Sequence, residues 1–304
     1  MTMNLLWLDD FLVLAETGNF SRAADERHLT QPAFSRRIRS LEEWLGTDLF
    51  DRSVQPAKLT EAGEWLRGAA HELLAHVARL PGEARTVAEA NSSTLRLAST
   101  HALSFTFLPG WLRGLEAKAP VGRIQLDSDV LQRCESLLLQ SKVHLVLSHS
   151  HAKARGALEA AGYPSTQVGT DELIPVSAAD ANGKARHWLP ELRASQVPFL
   201  NYSEESGLGR ILRAVVGPEL EQLPLRIVFT AHLASVIRTM VIGGRGLAWL
   251  PRTLITDDLA SGALVEAALP RWRIPLEIRV YRDHATLGPA AESFWREACE
   301  SGIC

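Results

Sequence analysis

Apolar residues in the first ninety positions recur at helical steps. Leu5, Leu8, Leu12 and Ala15 follow one another at three- and four-residue intervals and predict a first helix with one buried face, ending before Gly18. Asn19-Phe20-Ser21 reads as a turn, with Ser21 placed to cap a second helix that carries Ala23 and Ala24. Thr30 reads as the N-cap of a third helix. Gln31-Pro32 fills its first turn, where proline forfeits no helical hydrogen bond. Phe34, Ile38, Leu41 and Leu45 give this helix a continuous apolar stripe, closed by Gly46. Leu49-Phe50-Asp51-Arg52 through Lys58-Leu59-Thr60 reads as a flanking hairpin. Thr60 is placed to cap a fourth helix, along which Trp65, Leu66, Ala69, Leu73, Leu74, Val77 and Leu80 return at helical spacing. A lone helix this apolar on one side requires a partner, and a second copy could supply it. Pro81-Gly82 is expected to shorten or bend that helix.

The texture then changes. Asn91-Ser92-Ser93-Thr94 is a polar punctuation, beyond which strand-like runs alternate with helical ones. The runs are Leu95–Ser99, Arg123–Asp127, Val143–Ser148, Leu173–Ser177, Val197–Asn201, Leu225–Thr230, Gly246–Leu250 and Ile274–Tyr281, followed by a helix over Pro289–Cys299. Such alternation predicts an α/β domain with mostly parallel strands. About 210 residues with this many strands exceed one small sheet, so two lobes are expected. No repeat and no low-complexity tract interrupts the pattern.

Composition narrows the class. Of 304 residues, 46% are hydrophobic and 22% charged, a globular balance. The net charge of −3 means that any nucleic-acid contact must come from a local basic surface rather than from bulk charge. Cys134, Cys299 and Cys304 form neither a paired framework nor a CxxC site. Asp9 and Asp10 interrupt the first apolar stretch and no basic segment precedes it, so no signal peptide is expected. No run approaches a membrane span, and a reducing cytoplasm is the expected compartment.

Chemistry first shows on the third helix. Ser35, Arg36 and Arg39 lie off its apolar stripe, and no acid occurs between Ala33 and Leu41. Positive charge is thus concentrated on the early turns of a helix held by a short preceding one. That is the layout of a helix-turn-helix, whose second helix enters the major groove by its N-terminal part. The competing reading is an ordinary solvated helix face.

The residues that carry this pattern also resemble a known family. Phe11, Gly18-Asn19-Phe20-Ser21-Arg22-Ala23-Ala24 and Leu29-Thr30-Gln31-Pro32-Ala33-Phe34-Ser35-Arg36-Arg37-Ile38 are similar to the LysR-type transcriptional regulators. Leu41-Glu42, Leu45-Gly46, Leu49–Arg52 and Leu59–Gly63 extend the match at the family's spacing, so that it covers residues 8–63 densely. Gly243–Pro251 carries a weaker signature. Gln31–Ile38, Val197–Arg210 and Gly246–Pro251 resemble most the branch containing hypochlorite-responsive regulators.

The resemblance implies an all-α winged helix-turn-helix domain over residues 1–62 and a linker and dimerisation helix over 63–91. It also implies an α/β, two-lobed, periplasmic-binding-protein-like effector domain over 92–304. Lobe I would hold about 92–166 and 272–304, and lobe II about 167–271. On this reading Arg36 meets guanine edges or phosphate, Pro32 and Ala33 thymine methyls, and Gln31 a base or the backbone, with Ser35 and Arg39 beside them. Ser21 and Arg22 open the preceding helix, where backbone amides can hold a phosphate. Arg52 and Lys58 would serve the wing, although a salt bridge from Arg52 to Asp48 or Asp51 is an equal alternative. Gln55 stands where many relatives carry another arginine, which weakens the expected minor-groove contact.

Effectors of open α/β sheets sit beyond the carboxyl ends of strands. The candidates there are Ser99, Thr100, His101 and Ser104, then Ser128, Ser148 and His149, then Asn201, Tyr202, Ser203 and Thr230. Each alone is more often a cap or a satisfied loop residue than part of a pocket. His144, His149 and His151 do not form a metal site: strand alternation sets His144 apart and no acid lies near in sequence. No metal or cofactor is implied. Met1, Met3 and Met240 are too few and too scattered for a switch using several methionines. Cys134 reads as buried and inert, Cys299 and Cys304 as more accessible.

The expected function is DNA-binding transcriptional regulation by a homodimer or homotetramer, switched by a small-molecule or oxidant signal, with RNA polymerase a further candidate partner and no membrane partner. The alternatives are an enzyme or a solute-binding protein built on the two-lobed domain. Against the enzyme, no GxSxG, HExxH, Walker or strand-linked GxGxxG motif occurs, and Gly243-Gly244-Arg245-Gly246 reads as a tight turn.

Overall fold

The computed structural model describes residues 3–88, 94–117, 122–189, 196–285 and 287–301. The chain divides into two compact units, Met1–Pro81 and Gly82–Cys304. Residues 89–93, which hold most of the expected polar boundary, and Cys304 lie outside the described residues.

In the first unit, α1 (Leu6–Thr17), α2 (Phe20–Glu26) and α3 (Gln31–Leu45) pack mutually around Leu8, Phe11, Leu14, Ala23, Phe34, Ile38 and Leu41. Gly18 and Gly46 end α1 and α3 in the left-handed conformation, at φ 59° and 76°, where a glycine avoids the Cβ penalty. Ser21 is not the cap of α2: Asn19 is, its Oδ1 accepting the Ser21 and Arg22 amides at 3.0 and 3.1 Å. Thr30 caps α3 through its backbone carbonyl alone, which accepts the Phe34 amide. Strands β1 (Phe50–Asp51) and β2 (Lys58–Leu59) form the antiparallel wing. Thr60 Oγ1 accepts the Gly63 amide and starts α4 (Glu61–Ala88). Pro81 does not end α4, which continues through it for seven more residues.

The second unit begins with β3 (Thr94–Thr100), α5 (His101–Phe105), α6 (Leu108–Glu116), β4 (Arg123–Asp129), α7 (Leu131–Leu139), β5 (Leu145–Ser150) and α8 (Ala157–Ala160). It continues with β6 (Ser165–Ala178), β7 (Val197–Tyr202), α9 (Gly207–Leu220), β8 (Leu225–Ala231), α10 (Ala234–Ile242) and β9 (Ala248–Pro251). After a 3-10 turn at Arg252–Leu254 come α11 (Thr256–Ser261), β10 (Leu264–Glu266), β11 (Ile274–Arg282) and α12 (Pro289–Glu300). The sheet order is β10-β6-β11-β5-β3-β4, with β9 also on β6 and β7-β8 as a separate pair. The expectation of mostly parallel strands is corrected here. Among the described strands β3–β4, β3–β5 and β7–β8 pair parallel, whereas β11 returns from the end of the chain antiparallel to β5 and β6, and β9 and β10 pair antiparallel with β6.

Two lobes follow from two sets of cores. In lobe I, Leu97, Leu145, Leu147, Ile278 and Phe294 pack on one sheet face and Ala98, Cys134, Leu138 and Tyr281 on the other. In lobe II, Ile174, Tyr202, Ile211, Ile237, Trp249, Trp272 and Leu276 pack together. Strand β6 passes from one lobe to the other between Val168 and Leu173, and β11 between Leu276 and Ile278. The long strands themselves therefore connect the two lobes. Among the described residues no helix is long and apolar enough to cross a membrane.

Candidate functional site

The first unit presents a groove walled by the turn at Asn19, the outward face of α3 and the wing. Ser21, Gln31, Ser35, Arg39 and Arg52 line it, and Arg36 stands exposed on α3 without lining it. Pro32 is exposed, Ala33 half-buried, and Gln31 Nε2 donates to Ser35 Oγ at 3.1 Å. Local charge pairing sorts the arginines. Arg27 and Arg37 hold the fully buried Asp10 carboxylate at 2.7 and 3.2 Å, and Arg22 pairs with Glu26. Arg52 pairs with Glu42, and with neither Asp48 nor Asp51, while lying 5.5 Å over the Phe20 ring. Glu42 also accepts the Leu49 amide, so the wing's root is tied to α3. Lys58 faces Asp51 across the wing, whose carboxyl is held below its ordinary value by the Ser53 hydroxyl and amide, with a smaller contribution from Lys58. Among the described residues, Arg36 and Arg39 have no acid within 4.0 Å. Their charge is available to a ligand.

The second unit holds a small cavity where strand ends meet helix starts. Its lining comprises Thr100–Ala102, Asp129–Leu131, His149, Ser206–Leu208 and His232–Ala234. Each group ends a strand or opens a helix, the place where backbone amides lack helical partners. Ser128 Oγ lies 3.1 Å from His101 Nδ1 and 2.9 Å from Ser104 Oγ, which orients the imidazole at the cavity. His149 Nε2 lies 3.0 Å from Asp171 Oδ2, and that carboxylate also accepts the Thr253 hydroxyl at 2.6 Å. Burial pushes Asp171 upward, but the His149 contact and the Thr253 hydroxyl outweigh it and hold the carboxyl below its ordinary value.

Of the residues expected from sequence, Thr100, His101 and His149 line this cavity, and Ser104 and Ser128 stand directly behind His101. The others are elsewhere. Ser99 and Ser148 are buried within their strands, and Thr230 is exposed on β8. Asn201 and Ser203 are half-buried outside the lining. Tyr202 points into the lobe II core, its hydroxyl donating to the Trp249 carbonyl at 2.9 Å. Asp129, Ser206 and His232 were missed. Asp129 ends β4, and Ser206 and His232 lie between a strand and the next helix, so following every strand end into the next helix would have found them. Among the described residues, His144, His149 and His151 form no metal-type cluster: His144 Nδ1 accepts the Arg96 amide at 3.1 Å with its Nε2 3.0 Å from Arg96 Nη2, and His149 Nε2 meets Asp171.

Comparison with known proteins agrees with both halves. Residues 5–64 match the family described as "Bacterial regulatory helix-turn-helix protein, lysR family", and residues 88–301 match "LysR substrate binding domain". The HTH-type transcriptional regulator YjiE of Escherichia coli is 31% identical over 297 residues, covering 98% of this chain and 94% of that protein. DarR of Vibrio fischeri, solved in complex with DNA, is 30% identical with a TM-score of 0.57, covering 98% of this chain and 99% of that one. Full-length HypT of Salmonella typhimurium, a hypochlorite-specific LysR-type regulator, is 27% identical with a TM-score of 0.58, covering 98% of each. The chain belongs to the LysR family: it is a LysR-type transcriptional regulator, with a DNA-binding helix-turn-helix unit followed by a two-lobed α/β effector domain.

Proposed function

We propose that the opening turns of α3 read an operator in the major groove and that a small molecule in the lobe cavity is the signal. The observation that carries the first half is the contrast among neighbouring arginines. Arg27 and Arg37 pair with Asp10, whereas Arg36 and Arg39 stand exposed with no acid within 4.0 Å among the described residues. Arg36 is assigned to a guanine edge or a phosphate and Arg39 to phosphate, with Gln31, Pro32, Ala33 and Ser35 at base edges. Ser21, Arg22, Arg52 and Lys58 are assigned to the flanking backbone. Glu42 limits Arg52, and Asn19 already occupies two of the α2 amides. That DarR, 30% identical, was solved in complex with DNA supports DNA binding here.

The working assembly is a homodimer or homotetramer joined through α4, because Trp65, Leu73 and Leu80 are 68%, 41% and 47% exposed in a single chain. Paired units then require a two-fold operator, with RNA polymerase a further candidate partner. We assign residues 1–62 to DNA binding, 63–91 to the linker and 92–304 to the effector domain.

Likeness to HypT raises an oxidant as the signal. A bound molecule fits this chain better, for Met1, Met3 and Met240 are its only methionines and the buried Cys134 thiol is pushed up to about 12. Footprinting on the gene's own upstream region tests the DNA half. Arg36→Ala is expected to weaken protection roughly 10- to 100-fold, the scale of one lost bidentate base contact. Undiminished protection removes the assignment.

A further inference from the structure

Helices α7 and α9 both begin at the cavity wall, one from lobe I and one from lobe II. Their starts touch: a Cβ on Gly207 would lie 2.5 Å from Leu131 Cδ2, so only a glycine fits there without displacement. One turn further along each helix the two are tied by charge. Arg210 donates from Nη1 and Nη2 to Glu135 Oε1, both at 3.3 Å, and the Ala157 amide donates to the same oxygen at 3.2 Å. The Glu135 side chain is 6% exposed and that of Arg210 32%. Arg210 is itself held to the cavity rim, its amide donating to the Ser206 carbonyl at 2.8 Å.

Gly156 completes the arrangement. A Cβ at that position would land on both Glu135 Oε1 and Arg210 Nη2, so the backbone approaches the ion pair as closely as the chain allows. Its φ of −100° is ordinary, so an alanine there meets no backbone strain and must instead push the ends of the Glu135 and Arg210 side chains aside.

The strands that connect the lobes lie apart from this tie in the sequence and in kind. There Asp171 on β6 bridges His149 on β5 and Thr253 in the 3-10 turn after β9. A connection made of unbroken strands permits rotation, and a side-chain pair near the opening can limit it.

We propose that Glu135–Arg210 is a clasp that holds lobe II closed against lobe I over the cavity and sets the balance between open and closed effector domains. Its regulatory meaning rests on reading the cavity as the effector site; its existence as a clasp does not. Burial pushes the Glu135 carboxyl upward and Arg210 opposes that shift, so removing Arg210 leaves a buried acid uncompensated and favours opening to water.

The test is amide hydrogen exchange on the full-length protein, comparing wild type with Arg210→Gln and Gly156→Ala. The first variant removes a charge; the second keeps both and separates them by bulk. Both are expected to speed exchange about tenfold or more across Asp129–Glu135 and Ser206–Arg210, with the interiors of β5 and β9 at wild-type rates. Wild-type protection at those helix starts in either variant overturns the clasp. So does a uniform rise that includes β5 and β9, since the pair would then support the fold rather than lobe closure. Operator footprinting of the wild type is read separately. Its failure alongside local opening in both variants would sink the regulator reading and leave the clasp standing.

Discussion

Asp10 is the residue on which the helix-turn-helix unit turns. It has no exposed surface, and two guanidiniums reach it from α3 and from the turn after α2. A buried acid with two hydrogen-bonded cations is stable only as a set, because losing one member strands the others in low dielectric. Asp10→Asn is therefore expected to cost about 3 kcal/mol, seen as a lowered unfolding midpoint of the N-terminal unit. An unchanged midpoint would show the cluster to be dispensable.

The same reasoning gives Asp171 a pH signature. Its folded carboxyl lies below the ordinary value, so its contribution is complete above the unfolded pKa of about 3.9 and is lost as pH falls through the depressed folded value. The stability gap between wild type and Asp171→Asn in urea titrations should stay constant from neutrality to about pH 5 and close only below the ordinary carboxylate range. A gap that closes near neutrality would point to a different titrating group. Neither residue's role could be read from spacing. Asp10 looked like an interruption in an apolar run, and His149 meets an acid 22 positions away, on the far side of a loop and a short helix.

At the scale of elements, what was legible was local. Phe34, Ile38 and Leu41 sit inside the core as their spacing required, and Gly18 and Gly46 close their helices in the left-handed conformation. The α2 cap was misplaced by two residues because Asn and Ser are both good caps and lie on either side of Phe20; only the helix start decides between them. Asn19→Ala should destabilise the unit by about 1 kcal/mol. Ser21→Ala should change it little, and denaturant unfolding of the pair of variants separates the two assignments. Pro81-Gly82 reads as a second candidate boundary, and the division between the two compact units falls there although the helix does not stop. Proline disfavours a helix interior but does not forbid it, and α4 continues past it. What the pattern could not carry was long-range. Strand alternation looks the same whichever way a distant strand returns, so the antiparallel entry of β11 was invisible. The cavity is likewise assembled from strand ends more than a hundred residues apart. A polar residue at a strand end, such as Tyr202, can also turn inward once a carbonyl is waiting for it.

For the whole molecule, the overall charge of −3 and the small set of exposed cations on α3, Arg36 and Arg39, pull against tight binding by one copy. A few phosphate contacts per copy give weak, strongly salt-dependent affinity, whereas two rigidly joined copies on a two-fold site multiply it through effective concentration. The joint must come from a surface that a single chain leaves uncovered. On α4, Trp65, Leu73 and Leu80 are such residues, spaced eight and seven apart along one helix and each more than two-fifths exposed. A charge in that stripe would be buried on association without a partner, at a cost that opposes the apolar gain. Leu73→Glu is therefore expected to shift the protein to a folded monomer in sedimentation, with far-ultraviolet dichroism unchanged. Operator protection should fall by at least about a hundredfold through lost avidity, even though every α3 contact is intact. A variant that keeps both its mass and its footprint would place the joining surface elsewhere than on α4.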